Sequence, residues 1–450
     1  MNLRNMRQEQ DSLGDLELLD DEYFGISTAR LLAVLGDFGP ETPIALARNI
    51  VMVRQAQAMA YGHNGAWNKA TAELIQTASE RLLENEIFFA EQLKIRTLHG
   101  GGARSLVVNI DEVIANVALG LQNRPRGEYH RLACLLRLDN GFANHQVCVT
   151  ALHTTIIPML EELTEKVANA IQWMRKQGLC LREQDSIAQI NYQDVKIFNL
   201  GETFFCHAAG LERLLRQLSW YRKEYAELWN EMPEVLTCLG DISGIELKYD
   251  ATIKDYPICG GLYCGLSSLL RNLASHLMQI GNELKRLVVL RKELDLPKRL
   301  PSPVFNPANR ETLVPDTISQ IAVTIAGNDA SISAATNLDE NGTLLSFPLI
   351  AKGLIDSLQY CTVAVQLLTT QCLMELQGLA ETGLELQENS LLQAEKLIPV
   401  IGYERAVQVA RIAALTEKPV RTVVVRMKLL DEEQTSNVFS RIASTDHSEK

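Results

Sequence analysis

Few stretches of this 450-residue chain carry side chains spaced for chemistry. The run His99-Gly100-Gly101-Gly102-Ala103-Arg104-Ser105 is the first of them. Consecutive glycines free a turn's backbone N–H groups to face an anion, as in a phosphate cradle. The run lacks the lysine and the preceding strand of a phosphate-binding loop, so that chemistry is not expected of it. Cys259 and Cys264 are the most closely spaced thiols, without the second pair that completes a tetrahedral metal site. His99, His153, His207 and His276 have no ligand-like spacing and read as structural or surface residues. No metal and no cofactor is therefore expected. The triplet Gly327-Asn328-Asp329 lies within an apolar segment, where unpartnered polar groups are costly. Hydrogen bonds between packed helices are its expected use.

The elements around these residues read as helices. Pro297, Pro301, Pro303, Pro307 and Pro315 exclude a helix from the stretch they punctuate, since each removes a donor and restricts its predecessor. From Asp316, expected to cap the first turn, Ile318, Ile321, Ile325 and Ile332 recur at helical spacing. Leu152, Ile156, Leu160, Leu163, Val167, Ile171 and Met174 form another stripe, with a kink expected at Pro158. Two more run from Leu262 through Leu287 and from Leu354 through Leu379. Helices this long bury such faces against other long helices, so the expected fold class is all-α with a long central bundle. Residues 1–20 read as a loose lead-in.

Composition bounds the function. At 46% hydrophobic and 22% charged, the chain can build a large core. A net charge of −12 argues against nucleic acid, which needs a basic face. The polar, acidic start is not a signal peptide, and no charge-free run of 18 apolar residues predicts a membrane span. Nine cysteines without framework spacing suggest reduced thiols, so a cytoplasmic location is expected.

Several segments resemble the aspartase/fumarase superfamily. Glu22-Tyr23-Phe24-Gly25-Ile26-Ser27-Thr28-Ala29-Arg30 is similar to its YYGIxTxRA entry segment. His99–Asn116 is similar to QGGAGTSxNMNxNEVxAN, sharing Ser105, Asn109, Glu112, Val113 and Asn116, with Arg104 in place of a substrate-contacting Thr. Gly127-Glu128-Tyr129 repeats a further landmark. At Asp139–Gln146 the family has QSTNDA or QSSNDT; only Asn144 remains, Phe142 and Ala143 replace the hydroxyls, and His145 replaces the Asp. Ala188–Asp194 resembles GRTxxQDA, keeping Gln193 and Asp194, with Ile190 and Asn191 at substrate-touching positions. Ser302–Asp316 takes the place of GSSxMPxKxNPxxPE, and Gln320 and Gly327-Asn328-Asp329 match outright. Ile401 to Leu430 resembles the family's small third domain. The resemblance implies an N-terminal helical domain over 1–135, a central long-helix domain over 136–385 and a small C-terminal domain over 386–450. It also implies a homotetramer with sites drawing on three subunits.

The family cleaves a C–N or C–O bond by anti elimination, a Ser removing the proton next to a carboxylate while aimed donors stabilise the dianion. Here Pro303 and Val304 hold the Ser positions, Asn309 replaces the Lys, and Glu311 replaces the Asn. Losing one oxyanion-type donor typically costs ~10²–10³ in rate, so several losses exclude the standard aspartase and fumarase activities. New ionisable groups stand at former contact positions. His145 and Glu311 are the candidate catalytic residues, His145 as a base. Arg104, Ser105, Asn144, Asn191, Gln193, Asn309 and Arg310 are the candidate substrate-binding residues, the arginines by bidentate forks to a carboxylate. The expectation is a divergent lyase-fold protein acting on a carboxylate-bearing amino acid or dicarboxylate derivative. The alternative is a catalytically inactive homologue serving as a structural or regulatory partner subunit.

Overall fold

A computed structural model describes residues 5–132, 135, 141–191, 193–228, 232–251, 260–297, 312–338 and 345–439. In chain order, the strands β1 (Met6–Asp11) and β2 (Gly14–Leu19) precede α1 (Ile26–Leu35), α2 (Ile44–His63), α3 (Lys69–Glu84), α4 (Glu86–Gln92) and α5 (Gly102–Leu121). The long α6 (Gly141–Cys180) leads to the hairpin β3 (Asp185–Ile190) and β4 (Gln193–Asn199). Then come α7 (Leu200–Ala226), α8 (Pro233–Ser243), α9 (Gly261–Lys285), α10 (Leu313–Thr336) and α11 (Phe347–Leu367). The helices α12 (Ala380–Asn389), α13 (Ile398–Ile401), α14 (Tyr403–Thr416), α15 (Val420–Arg426) and α16 (Glu432–Phe439) follow. The fold is all-α, with strands confined to two-stranded pairs among the described residues.

The predicted stripes are the core. Leu152, Ile156, Leu160, Leu163, Val167, Ile171 and Met174 are all buried, as are Leu266, Leu269, Leu273, Leu277, Ile280, Leu284 and Leu287. The helix α6 continues through Pro158 without a break. The stripe from Leu354 extends one π-helical stretch beyond α11, Leu368–Leu373, before the helix ends. The helix α10 begins at Leu313, three residues before the expected Asp316. A proline in the first turn removes an N–H that has no intrahelical acceptor anyway, so Pro315 is tolerated there. Asp316 instead accepts from the Thr312 hydroxyl at 3.1 Å and from Lys285 at 3.0 Å.

The chain divides into two compact units. In the first (residues 1–167, 213–275 and 320–364), α2 packs on α3 and α8, and α3 on α5. The polar triplet of α10 belongs here. Asn328 donates to Ser357 at 3.1 Å, while Asp329 accepts from Ser267 at 2.7 Å and pairs with Arg271 at 3.0 Å. These bonds join α10 to α11 and α9, as expected of polar groups within an apolar helix. In the second unit (168–212, 276–319 and 365–450), α14 and α15 enclose a small core of Leu397, Ala406, Val409, Ala413, Val420, Val423 and Val424.

The lead-in is not loose. Residues 6–19 form an antiparallel hairpin in which Glu9 opposes Leu16 and is buried. Arg7 explains this order: its guanidinium donates to the carbonyls of Leu19, Glu22 and Phe24 at 2.6–2.7 Å and to Glu9 at 2.8 Å. A single planar fork thus fastens the hairpin to the loop entering α1.

Candidate functional site

The glycine turn and the entry loop meet over α5. Gly101 and Gly102 take φ values of +87° and +55°, a left-handed pair that side chains rarely adopt. The turn ends as α5 begins, and the Ser105 hydroxyl donates back to the Gly100 carbonyl at 2.8 Å. Arg104 stands exposed in that first turn, beside the positive end of the helix dipole.

Two turns further on, Glu112 is buried and gathers the entry loop. Its carboxylate accepts from the N–H groups of Gly25 (2.9 Å), Ser27 (2.8 Å) and Thr28 (3.2 Å) and from the Thr28 hydroxyl (2.7 Å). Burial pushes its carboxyl above the usual range, and the donors from Thr28, Gly25 and Ser27 oppose that shift. Asn116, one turn beyond, donates to the Tyr23 carbonyl at 2.9 Å and accepts from the Gly127 N–H at 2.9 Å. Tyr129 closes the group, its hydroxyl donating to Glu9 at 3.3 Å. A Cβ on Gly25 would sit 2.1 Å from that hydroxyl, so the close approach requires glycine. The segments carrying Gly25, Thr28, Glu112, Asn116 and Gly127-Glu128-Tyr129 therefore share one hydrogen-bonded frame.

Beside this frame lies a cavity of about 390 Å³, lined by Arg104, Ser105, Asn144, Asp111, Thr28 and Tyr129 among others. Under it sits Arg54 of α2, fully buried. Its guanidinium grips Asp111 with two parallel bonds of 2.8 and 2.6 Å, and donates to Gln57 at 2.8 Å and to Asn144 at 3.1 Å. A charge this deep is tolerable because every partner is an oxygen and one carries the opposite charge.

The candidate residues divide accordingly. Arg104, Ser105 and Asn144 line one cavity. His145 follows Asn144 in α6 but is buried; its ring centroid lies 6.3 Å from that of Phe347 in an edge-on contact. Neither ring nitrogen has a hydrogen-bond partner among the described residues. Burial lowers its pKa from 6.5 to about 4, so the ring is neutral at pH 7: free to accept a proton, yet with little affinity for one. Asn191 and Gln193 lie exposed in the β3–β4 hairpin, in the second unit; Asn191 takes the left-handed φ of +50° in the tight turn. Asp194 beside them accepts from Ser390 at 2.6 Å. Cys259, Pro303, Val304, Asn309, Arg310 and Glu311 lie outside the described residues.

Arg54 and Asp111 escaped the reading of the sequence. Their signal was available: Arg54 interrupts the buried face of α2 formed by Leu46, Ala47, Ile50, Val51 and Ala58, where a charge demands a partner. A second cleft, of about 810 Å³, is lined by several acids, but Asp37 and Glu41 pair with Arg96, and Asp356 pairs with Lys352. Among the described residues, no three His, Cys, Asp or Glu side chains are placed to hold a metal ion, and no helix is long and apolar enough to cross a membrane.

Known proteins are similar to this chain over nearly its whole length. The family model for the fumarase C C-terminus matches residues 396–441. Aspartate ammonia-lyase of Bacillus sp is 24% identical over 97% of this chain and 97% of its own. The Pseudomonas aeruginosa aspartate ammonia-lyase is 27% identical over 96% and 95%. A crystal structure of fumarate lyase:delta crystallin from Brucella melitensis superposes with a TM-score of 0.86 at 26% identity, covering 96% of this chain and 99% of that one. Class II fumarase from Schistosoma mansoni, at 16% identity and a TM-score of 0.82 over 96% and 98%, shares the fold. With three of its family-like segments joined in one frame and relatives matching over 96–97% of its length, the chain belongs to the aspartase/fumarase superfamily.

Proposed function

We propose that this chain is a divergent lyase-fold enzyme that binds a carboxylate-bearing amino acid or dicarboxylate derivative and does not run the standard aspartase or fumarase reaction. The observation that carries the binding half is the cavity gathering Arg104, Ser105 and Asn144 from two segments distant in sequence. A guanidinium and an amide beside a helix N-terminus suit an anion of carboxylate shape, and the Ser105 hydroxyl would join them by turning from the Gly100 carbonyl. The departure from standard chemistry rests on Pro303, Val304 and Asn309, which carry neither the hydroxyl base nor the ammonium of the family pattern. The proton-abstracting step then falls to another group, and His145 and Glu311 are the candidates on this chain.

In this reading the protein is a cytoplasmic homotetramer. Its sites draw on three subunits, as in the resembling family, so Asn191 and Gln193 of the second unit need not act with Arg104, Ser105 and Asn144 of the same chain. A second reading is favoured by one observation: His145 is buried with neither nitrogen bonded among the described residues, which suits a packing role better than a base. It makes the chain a catalytically inactive partner subunit of an active homologue.

The test incubates purified protein with L-aspartate, L-malate and argininosuccinate and follows fumarate and ammonia. No product is expected from any of them, and clear turnover of one sinks the proposal. Titration with dicarboxylates then separates the readings. Saturable binding that Arg104→Ala weakens supports the enzyme; indifference to every dicarboxylate supports the inactive partner.

A further inference from the structure

We infer that Arg54 is a positioning residue for the cavity: locked by Asp111, it orients the Asn144 amide as a donor to an anionic ligand. The inference rests on the carboxylate reading above and adds the device that enforces it.

The argument is one of donor accounting. An arginine side chain donates only, so whichever Asn144 atom faces it must be the oxygen. The Nη2 group gives one hydrogen to Asp111 Oδ2 at 2.6 Å and the other to Asn144 Oδ1 at 3.1 Å. Nε and Nη1 are engaged by Asp111 Oδ1 and Gln57 Oε1, each at 2.8 Å. The guanidinium is thus held on three sides before it meets Asn144 and cannot turn. With its oxygen engaged by Arg54, the Asn144 amide has Nδ2, with two N–H donors, left for the cavity that the residue lines. A free asparagine offers an acceptor as readily as a donor; this one is set to donate, beside lining carboxylates already engaged, Asp111 by Arg54, Asp11 by Arg30 and Glu112 by the entry loop. Framework stability alone does not require the device. A buried ion pair is commonly no better than apolar residues of similar size, whereas orientation of a polar group is something apolar residues cannot supply.

The tests use the full chain, succinate as the probe, and two variants. Arg54→Lys keeps the charge and loses the fork. Its crystal structure is expected to show the Asn144 side chain rotated from the wild-type pose, and succinate affinity is expected to fall severalfold at wild-type helicity. Asn144→Asp keeps an oxygen for Arg54 but turns a second, negative oxygen to the cavity. It is expected to lose roughly tenfold or more in succinate affinity at about pH 8. The loss is expected to persist at about pH 6, which is above the ordinary aspartate value of ~4, with the Arg54 guanidinium holding the new carboxyl ionised. A purely structural Arg54 would leave the Asn144 pose and the succinate affinity of folded Arg54→Lys unchanged. An unchanged Asn144 pose and affinity in Arg54→Lys, or wild-type affinity in Asn144→Asp at about pH 8, overturns the inference. Should Arg54→Lys fail to fold, Asn144→Asp decides alone. If the wild type ignores succinate while Arg54→Lys still rotates Asn144, the carboxylate reading falls and the positioning stands.

Discussion

Two buried ionisable side chains lie in the same unit, and the molecule treats them in opposite ways. Glu112 is surrounded by three backbone N–H groups and a hydroxyl at 2.7–3.2 Å. His145 meets the edge of Phe347 and has no hydrogen-bond partner among the described residues. Burial disfavours the charged form of both, raising the carboxyl and lowering the imidazole. The difference is in what surrounds them. The Glu112 donors give its burial a structural purpose, seating the loop from Gly25 to Thr28 on α5. His145 receives no such return, so its polarity is either retained for chemistry or carried at a cost.

The comparison can be broken first at the frame. Asp111→Leu leaves Arg54 buried without its counter-charge and is expected to destabilise the protein by ~3–5 kcal/mol, read by denaturant unfolding. A loss below about 1 kcal/mol would mean that the guanidinium finds water or another acceptor, and that the frame is looser than its geometry.

The next largest effect lies on the other side of the comparison. His145 is neutral when folded, with a pKa near 4 against 6.5 unfolded. Between those values the unfolded chain binds more protons, so stability falls as pH drops from about 6.5 to about 4, then levels. The full depression corresponds to roughly 3 kcal/mol. His153 carries the same sign, lowered to about 4 by burial despite its contact with the Tyr225 carbonyl. Glu112 runs the other way, since a raised carboxyl gains protons in the folded state and favours folding on acidification. The His145 share is therefore read as the difference between wild type and His145→Leu across this window. Identical acid limbs would show that the ring is protonated, and partnered, when folded.

Within the frame, Glu112→Gln exchanges one accepting oxygen for an NH₂ that faces backbone donors. It is expected to cost ~1–3 kcal/mol and to loosen the entry loop, visible as faster amide exchange at Ser27 and Thr28. Gly25→Ala is expected to cost about 1–2 kcal/mol through its collision with the Tyr129 hydroxyl. The backbone φ there, −115°, suits any residue, so the cost is steric alone. Adding Tyr129→Phe should recover part of it; no recovery would place the strain elsewhere.

What the sequence revealed follows the physics of each group. Periodic stripes exposed the long helices because burial of one face leaves a repeat that survives substitution, as from Leu152 to Met174. The Asn328 and Asp329 contacts were legible because a polar group in an apolar repeat must find a partner. The Met6–Leu19 hairpin was not, since its first strand is polar after Met6 and its order comes from Arg7 reaching carbonyls of Leu19, Glu22 and Phe24. The helix start at Leu313 was obscured by Pro315, which forbids a helix interior but not a first turn. At the candidate site, Arg104, Ser105 and Asn144 could be picked out by their place in family-like segments. Arg54 and Asp111 could not, because their roles exist only once α2, α5 and α6 bring a donor-only group against two acceptors. Sequence marks the residues that touch a ligand more readily than those that aim them.

The smallest expected effect separates the two buried groups most cleanly. At pH 7, His145→Leu removes two ring nitrogens that have no partner among the described residues and keeps an apolar side chain against Phe347. Replacing an unsatisfied polar group by an apolar one of similar size is near neutral or stabilising, so the expected change is within about 1 kcal/mol. Folding is thus indifferent to this histidine where it depends on Glu112, and activity becomes the informative readout. Were the variant to fold normally yet lose dicarboxylate turnover in a substrate screen, the ring is retained for chemistry. Were it to lose 3 kcal/mol or so at pH 7, the ring must have hydrogen-bond partners that its burial conceals, and the contrast with Glu112 would dissolve.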